Sequence, residues 1–303
     1  MAAPTIAWPE KTHEIRNVIM DSIRWDGFPF RDDDIVIATW GKSGTTWTQQ
    51  IVGQLVLRGA EMSTLAMAIS PWLDQSPRPL REVLDLLEAQ THRRFIKSHL
   101  PLDALVFSPK AKYIYVGRDG RDSLWSWHNH YASFTDQAYE MFNNAPGRIG
   151  PPLERCPEDV VEHFRQWLDD RDHSQLPDFW SHYQGWFDAR RLPNILLVHF
   201  NHLKADLPGE MRRIAGFLGI EIEESLWPTL IEHCTFDYMK KTATKHPILQ
   251  AAFKNGSNDF FHSGTNGRWR DLLTADDLAN YDSKVKEKLT PECARWMATG
   301  ELP

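Results

Sequence analysis

The 303-residue chain has little cysteine. Cys156, Cys234 and Cys293 are odd in number, far apart and show no CxxC spacing. That argues against a disulfide framework or a zinc ribbon and fits a reducing compartment. There is no excess of positive charge: the formal net charge is −7, whereas a general nucleic-acid binder is usually basic. A local cluster of Lys and Arg would still hold a small anion. No apolar run approaches the ~20 residues that a membrane span needs. The opening MAAPTIAWPEKTHE lacks the basic stretch and apolar core of a secretory leader. No internal repeat and no low-complexity linker is found. The expectation is a soluble, cytoplasmic protein, one domain over residues 1–303, without nucleic-acid or membrane partners.

Four short runs have the composition of buried parallel strands: Asp34–Thr39, Arg94–Lys97, Lys112–Val116 and Asn194–Val198. Each is apolar and rich in β-branched or aromatic residues. Helical spacing covers Thr45–Leu57, Arg81–Ala89, Glu158–Leu168 and Leu207–Leu218, the last followed by Gly219 as a C-cap. From about Lys240 to Arg270 the chain reads as loop, and then as helix over Ala275–Leu289. Strands alternating with helices predict an α/β fold, a central parallel sheet flanked by helices.

The polar motifs sit where such a sheet places a ligand. TWGKSGTTW follows the first strand, KSH the second, GRDGRDS the third and FNH the fourth. In open α/β sheets the binding crevice lies outside the carboxyl ends of the strands, so the four segments converge.

Within the first motif, Lys42, Ser43, Gly44, Thr45, Thr46 and Trp47 lead from a turn into a helix start. Unpaired N–H groups and the positive end of the helix dipole suit a phosphate there. The same pattern also serves an ordinary strand–turn–helix. It is not a Walker A loop, because Val36 stands where that motif has its first Gly. Lys97 and His99 share one side of a strand. A neutral His beside a Lys is well placed as a base, since the cation lowers its pKa; many strand-end His residues are structural instead. Arg118 and Ser126 supply a guanidinium and a hydroxyl of the kind that holds phosphate, although the same segment would also make a surface ion-pair cluster. His128-Asn129-His130 lacks a third ligand at suitable spacing and is read as non-metal. Trp72, Phe134, Phe142, Phe28 and Phe30 are candidates for lining an acceptor pocket, or for the core.

At these residues the chain resembles the cytosolic sulfotransferases. TWGKSGTTW is similar to their 5′-phosphosulfate loop, FIKSHLP to the segment with their catalytic His, and YVGRDGRDSLWSW to their 3′-phosphate segment. ILLVHFNHLK is like the strand whose aromatic contacts adenosine, with Phe200 where Tyr is common. Cys234–Met239 resembles their TSFDxM segment. The correspondence runs in order from about residue 20 to 290.

The resemblance implies a P-loop-like sulfotransferase fold. It implies transfer of a sulfuryl group from 3′-phosphoadenosine 5′-phosphosulfate to a hydroxyl on a small acceptor, aromatic or apolar, with no metal. Lys42 would contact the sulfate and bridging oxygens, and Thr45 and Thr46 the 5′-phosphate. Trp47 would stack on adenine. His99 would take the acceptor proton, with Lys97 assisting. Ser43, Gly44, Arg118, Ser126, Phe200, Thr235 and Phe236 would complete the donor site. Two departures stand out. The family's C-terminal Arg-Lys-Gly is His262-Ser263-Gly264 here, which leaves Arg268 or Arg270 to replace the lost charge. The family's dimer signature is met only loosely from Arg270, with Ala279 in place of Glu, so that dimer is not expected. Two other readings of the residues remain: a nucleotide-dependent small-molecule kinase, and a non-catalytic nucleotide-binding module.

Overall fold

In the computed structural model, residues 6–60, 62–171 and 175–303 are described. The first five residues of the N-terminal reading lie outside them.

Four parallel strands form one sheet: β1 (Ile35–Thr39), β2 (Phe95–Ser98), β3 (Lys112–Gly117) and β4 (Ile195–His199), in the order β2-β1-β3-β4. All four expected strands are present, displaced by no more than a residue at either end. Ile35 pairs with Phe95 on one side and Lys112 on the other, and Tyr113 pairs with Ile195. β1 is therefore central, and the chain crosses from one side of it to the other between β2 and β3.

Among the described residues, fourteen α-helices and five short 3-10 helices make up the other regular elements. The first half holds α1 (Thr45–Val56), α2 (Leu80–Glu88), α3 (Gly120–Ala132), α4 (Asp136–Asn143), α5 (Val160–Leu168) and α6 (Phe179–Asp188). Then follow α7 (Phe200–Ala205), α8 (Leu207–Leu218), α9 (Trp227–His233) and α10 (Phe236–Ala243). The last four are α11 (Pro247–Ala252), α12 (Ser257–Phe260), α13 (Ala275–Lys288) and α14 (Pro291–Thr299). Gly219 caps α8 in the left-handed region, as expected. The stretch read as loop from Lys240 contains α11 and α12. Both are too short to show a helical repeat, and Pro247, at the start of α11, marks a helix start as well as a break.

Alternation along the strands divides the core. Ile35 and Ile37 face a cluster with Ile51, Val52 and Leu55 of α1 and Met211 and Ile214 of α8. Val36 and Ala38 face the opposite side, where Trp125, Phe164, Trp167 and Trp186 pack. At the amino end of the sheet, Arg94 donates to the Asp34 carboxylate at 2.7 Å, and both are fully buried. No described helix is long and apolar enough to cross a membrane.

The fold places one end of the sheet over a cavity. Lys42 follows β1, His99 follows β2, Arg118 follows β3 and Phe200 follows β4.

Candidate functional site

The loop from β1 to α1 is shaped by two left-handed residues, Lys42 at φ 63° and Gly44 at φ 117°. Such turns let a loop close around an oxyanion. Glycine suits Gly44 because side chains rarely adopt a φ of 117°, and a Cβ there would press on the Phe200 ring at 3.2 Å. α1 then begins without a side-chain cap, leaving its first N–H groups free to face a ligand. The Ser43 hydroxyl turns the other way, 3.3 Å from that of Ser123 and 3.2 Å from that of Tyr183.

His99 is held from three sides. Its Nδ1 lies 2.7 Å from the Thr39 carbonyl oxygen. Its main-chain N–H donates to Asp74 at 3.0 Å, and its carbonyl lies 3.3 Å from His182 Nε2. Its ring meets Trp72 edge-on at 4.8 Å. Burial and, next, the charge of Lys97 hold the imidazole well below its ordinary pKa. The ring is therefore neutral at neutral pH.

Asp74 organises this corner. Its carboxylate accepts from the indoles of Trp25 and Trp72 at 3.1 and 2.6 Å, besides the His99 amide. Residues 71–73 hydrogen-bond to both sides of Lys97 along the outer edge of β2, which brings Asp74 to His99. The Lys97 ammonium lies over the Trp72 ring at 4.2 Å.

Two partly buried lysines here have depressed pKa values. Burial brings Lys42 down to about 7, helped by the charges of Lys97 and Arg118. Burial brings Lys97 to about 8. The Lys42 ammonium sits 3.3 Å from His130 Nδ1 and 4.5 Å from the centre of the Phe260 ring.

Arg118 is locked to the C-terminal segment. It donates to the Asn266 side chain at 2.7 and 3.0 Å and to the Thr265 and Lys42 carbonyls, each at 3.2 Å. Asp122 fixes the same segment by accepting from the Gly267 N–H at 2.6 Å. Burial lowers the Arg118 guanidinium to about 10. Arg268 donates to His262 Nδ1 at 3.3 Å, and its charge is felt at Arg118. Arg270 instead lies against Trp269 and is not in the cavity wall.

These groups surround one cavity of about 290 Å³. Its described wall contains five cationic side chains, Lys42, Lys97, Arg118, Lys204 and Arg268, and no carboxylate. In a protein of net charge −7, that concentrates positive potential in one place.

Most of the residues expected at the site line it. Lys42, Gly44, Thr45, Thr46 and Trp47 do so from the first motif; Lys97, His99, Arg118, Ser126, Phe200 and Phe236 do so from the others. Ser43 and Thr235 do not. The Ser43 side chain braces the scaffold, and Thr235 caps α10 by accepting from the Tyr238 N–H at 3.3 Å. Trp72, Phe134 and Phe142 are in the wall, but Phe28 and Phe30 are not. Those two pack with Trp25, and Arg94 lies over Phe28 at 5.2 Å. They serve the core at the opposite end of the sheet. Lys204 and His130, the latter read from the sequence only as non-metal, also line the cavity, and Asp74 supports it from behind. The alternation of α3 pairs His130 with Ser126 one turn away, a signal that was available.

The arrangement offers an unprotonated imidazole, a cation-lined anion site and an aromatic wall in one cavity. The model of the sulfotransferase domain family matches residues 32–291. The glycolipid sulfotransferase of Mycobacterium tuberculosis is 33% identical over 306 residues, covering 94% of each chain. Mouse sulfotransferase 2B1 is 28% identical, over 86% of this chain and 72% of its own. Mouse sulfotransferase SULT7A1 in complex with PAP has a similar structure, with TM-score 0.68 and 21% identity over 91% of this chain and 92% of that one.

Proposed function

This chain belongs to the sulfotransferase family, and from that premise we propose a donor, an acceptor class and a role for each site residue. The donor is 3′-phosphoadenosine 5′-phosphosulfate, and the acceptor is a hydroxyl on a small molecule with an apolar or aromatic body. The observation that carries this is the cavity wall, with five cations and no carboxylate. The donor brings phosphate groups at two positions and a sulfate, and needs positive charge at each. Residues 1–303 act as one catalytic unit.

The residues present fit that donor. The loop at Gly44 can approach a 5′-phosphate because no side chain intervenes. The N-terminus of α1 opens there, and Thr45, whose hydroxyl is paired with that of Thr39 at 2.7 Å, and Thr46 line the same cavity. Arg118 and Ser126, with Arg268 in place of the family's clamp, suit a 3′-phosphate. Trp47 and Phe200, edge-on at 5.5 Å, and Phe236 suit a purine.

The donor supplies a sulfuryl group activated by a phosphate leaving group. His99 accepts the acceptor's proton as the acceptor oxygen bonds to sulfur. The electron pair of the breaking S–O bond passes to the phosphate oxygen. Lys42 supports the charge that grows there, and Lys97 the oxygens of the group in transit. Such preorganised support is usually the largest contribution to catalysis. His130, 3.3 Å from Lys42, keeps that ammonium in place with an acceptor nitrogen.

On the acceptor side, Trp72, Phe134 and Phe142 present apolar rings. The mycobacterial relative is named for glycolipids, which supports an acceptor with a lipid-like body. Calorimetry tests the donor assignment. 3′-Phosphoadenosine 5′-phosphate should bind far more tightly than ATP with magnesium; tighter ATP binding would return the reading to a kinase.

A further inference from the structure

Outside the transfer cavity, three side chains from neighbouring segments come together. His128 lies on α3, His163 on α5 and Cys156 on the segment leading into α5. Their nearest ligand atoms all fall within 4.8 Å of each other. The two Nδ1 atoms are 3.2 Å apart, and the Cys156 sulfur lies 4.0 Å from the His128 carbonyl oxygen. We propose that His128, His163 and Cys156 form a binding site for a divalent transition-metal ion of the zinc class, outside the transfer cavity.

The donor set decides the class of ion. Two imidazoles and a thiolate suit zinc and its neighbours, whereas magnesium and calcium require oxygen ligands. Neighbouring ligands of a tetrahedral ion stand roughly 3–4 Å apart, given bonds of about 2.0–2.3 Å. The imidazole nitrogens already meet that spacing. The sulfur lies within 4.8 Å of both imidazoles and sits on a segment without regular structure.

The surroundings favour occupancy. Cys156 and His163 border a cavity of about 270 Å³ whose wall also carries Glu154, Glu162 and Arg155. It leaves room for a water or a carboxylate as fourth ligand, and the acidic groups attract a cation. Cys156 binds as its thiolate. Binding therefore releases one proton as the S–H bond gives way to a metal–sulfur bond. One ring also moves its proton from Nδ1 to Nε2, so that both lone pairs face the ion. The Glu158 backbone hydrogen-bonds His128, the kind of outer contact that steadies a ligating ring.

The site has a route to the reaction. Tyr131, one helical turn from His128, lies in the walls of both cavities. Ser126 and His130 on the same helix line the transfer cavity. An ion here would pin Cys156 and α5 to α3 and stiffen that wall. It takes no part in sulfuryl transfer. In the sequence, His128-Asn129-His130 takes a non-metal reading because the partners of His128 lie 28 and 35 residues away, and because His130, its apparent companion, faces the other cavity.

The test uses tag-free, full-length protein kept reduced with a phosphine, titrated with cobalt(II) and followed by absorption. The expected result is one ion per chain, with a thiolate-to-cobalt charge-transfer band and tetrahedral d–d bands, all displaced by zinc. Cys156→Ser should abolish the charge-transfer band, and His163→Gln should weaken zinc binding by about tenfold or more. Zinc should also slow alkylation of Cys156 in the unmodified protein, a readout that needs no variant to fold. Absence of the charge-transfer band, or zinc binding unchanged in Cys156→Ser, overturns the proposal.

Discussion

His99 Nδ1 lies 2.7 Å from the carbonyl oxygen of Thr39, the last residue of β1. A carbonyl only accepts, so Nδ1 must carry the hydrogen, and the lone pair of the neutral ring is on Nε2. The strand that bears the anion loop thus also sets the tautomer of the base. A general base needs that free lone pair together with a pKa low enough to keep it free. Burial and Lys97 supply the second condition.

A pH profile of kcat/KM follows, because that quantity reports groups of the free enzyme. His99 must be neutral and is held well below its ordinary value, so activity falls only as pH drops far into the acid range. Lys42 must be charged and sits at about 7, so activity falls as pH rises through that value. The expected profile has its alkaline limb near neutrality. A rate that still climbs between pH ~6 and ~8, as an unshifted His at ~6.5 would give, contradicts this assignment.

Lys42→Ala should reduce kcat by roughly 10²–10³, the loss seen when one preorganised donor is removed. Donor affinity should change much less, since Arg118, Arg268 and the α1 N-terminus remain. Steady-state kinetics separate the two parameters. A raised KM with unchanged kcat would make Lys42 a ground-state anchor.

Arg268 and Arg270 can be told apart. Arg268→Ala should weaken 3′-phosphoadenosine 5′-phosphate by about tenfold or more, in line with the loss of a charged hydrogen bond at ~1.5–3 kcal/mol. Binding of adenosine 5′-phosphate should hardly change. Arg270→Ala should affect neither, because its side chain lies on Trp269. Calorimetry with both nucleotides reads the result; equal losses for the two ligands would remove Arg268 from the 3′-phosphate site.

The buried Arg94–Asp34 pair clamps the starts of β1 and β2. Arg94→Ala leaves the Asp34 carboxylate buried without its partner and should cost about 3–5 kcal/mol. Urea unfolding should show a lower midpoint with an unchanged slope. A loss below ~1 kcal/mol would mean that solvent reaches Asp34.

Much of this was legible because parallel strands announce themselves. DIVIAT and KYIYV are short, continuous apolar runs, and the polar motifs after them fall at the strand ends by topology alone. Asp74 was not legible, because nothing local distinguishes a carboxylate that two indoles and an amide will surround. His130 was hidden by its neighbour His128, although the two face different cavities. Phe28 and Phe30 were offered as acceptor-lining, but composition cannot tell which end of a sheet an aromatic will reach. The charge lost at His262 and Ser263 was visible, and so were both candidate arginines; only the packing of residues 262–270 separates them.

The central claim is that His99 takes the proton while a sulfuryl group crosses this cavity. The most direct test follows sulfur-labelled 3′-phosphoadenosine 5′-phosphosulfate with two acceptors, an apolar alcohol and an acidic nitrophenol already ionised at the assay pH. The unmodified protein should form a labelled sulfate ester with both. His99→Ala should lose about 10²–10⁴-fold with the alcohol and markedly less with the nitrophenolate, while donor binding persists. Equal losses with both acceptors, or no labelled ester from the unmodified protein, would contradict the account.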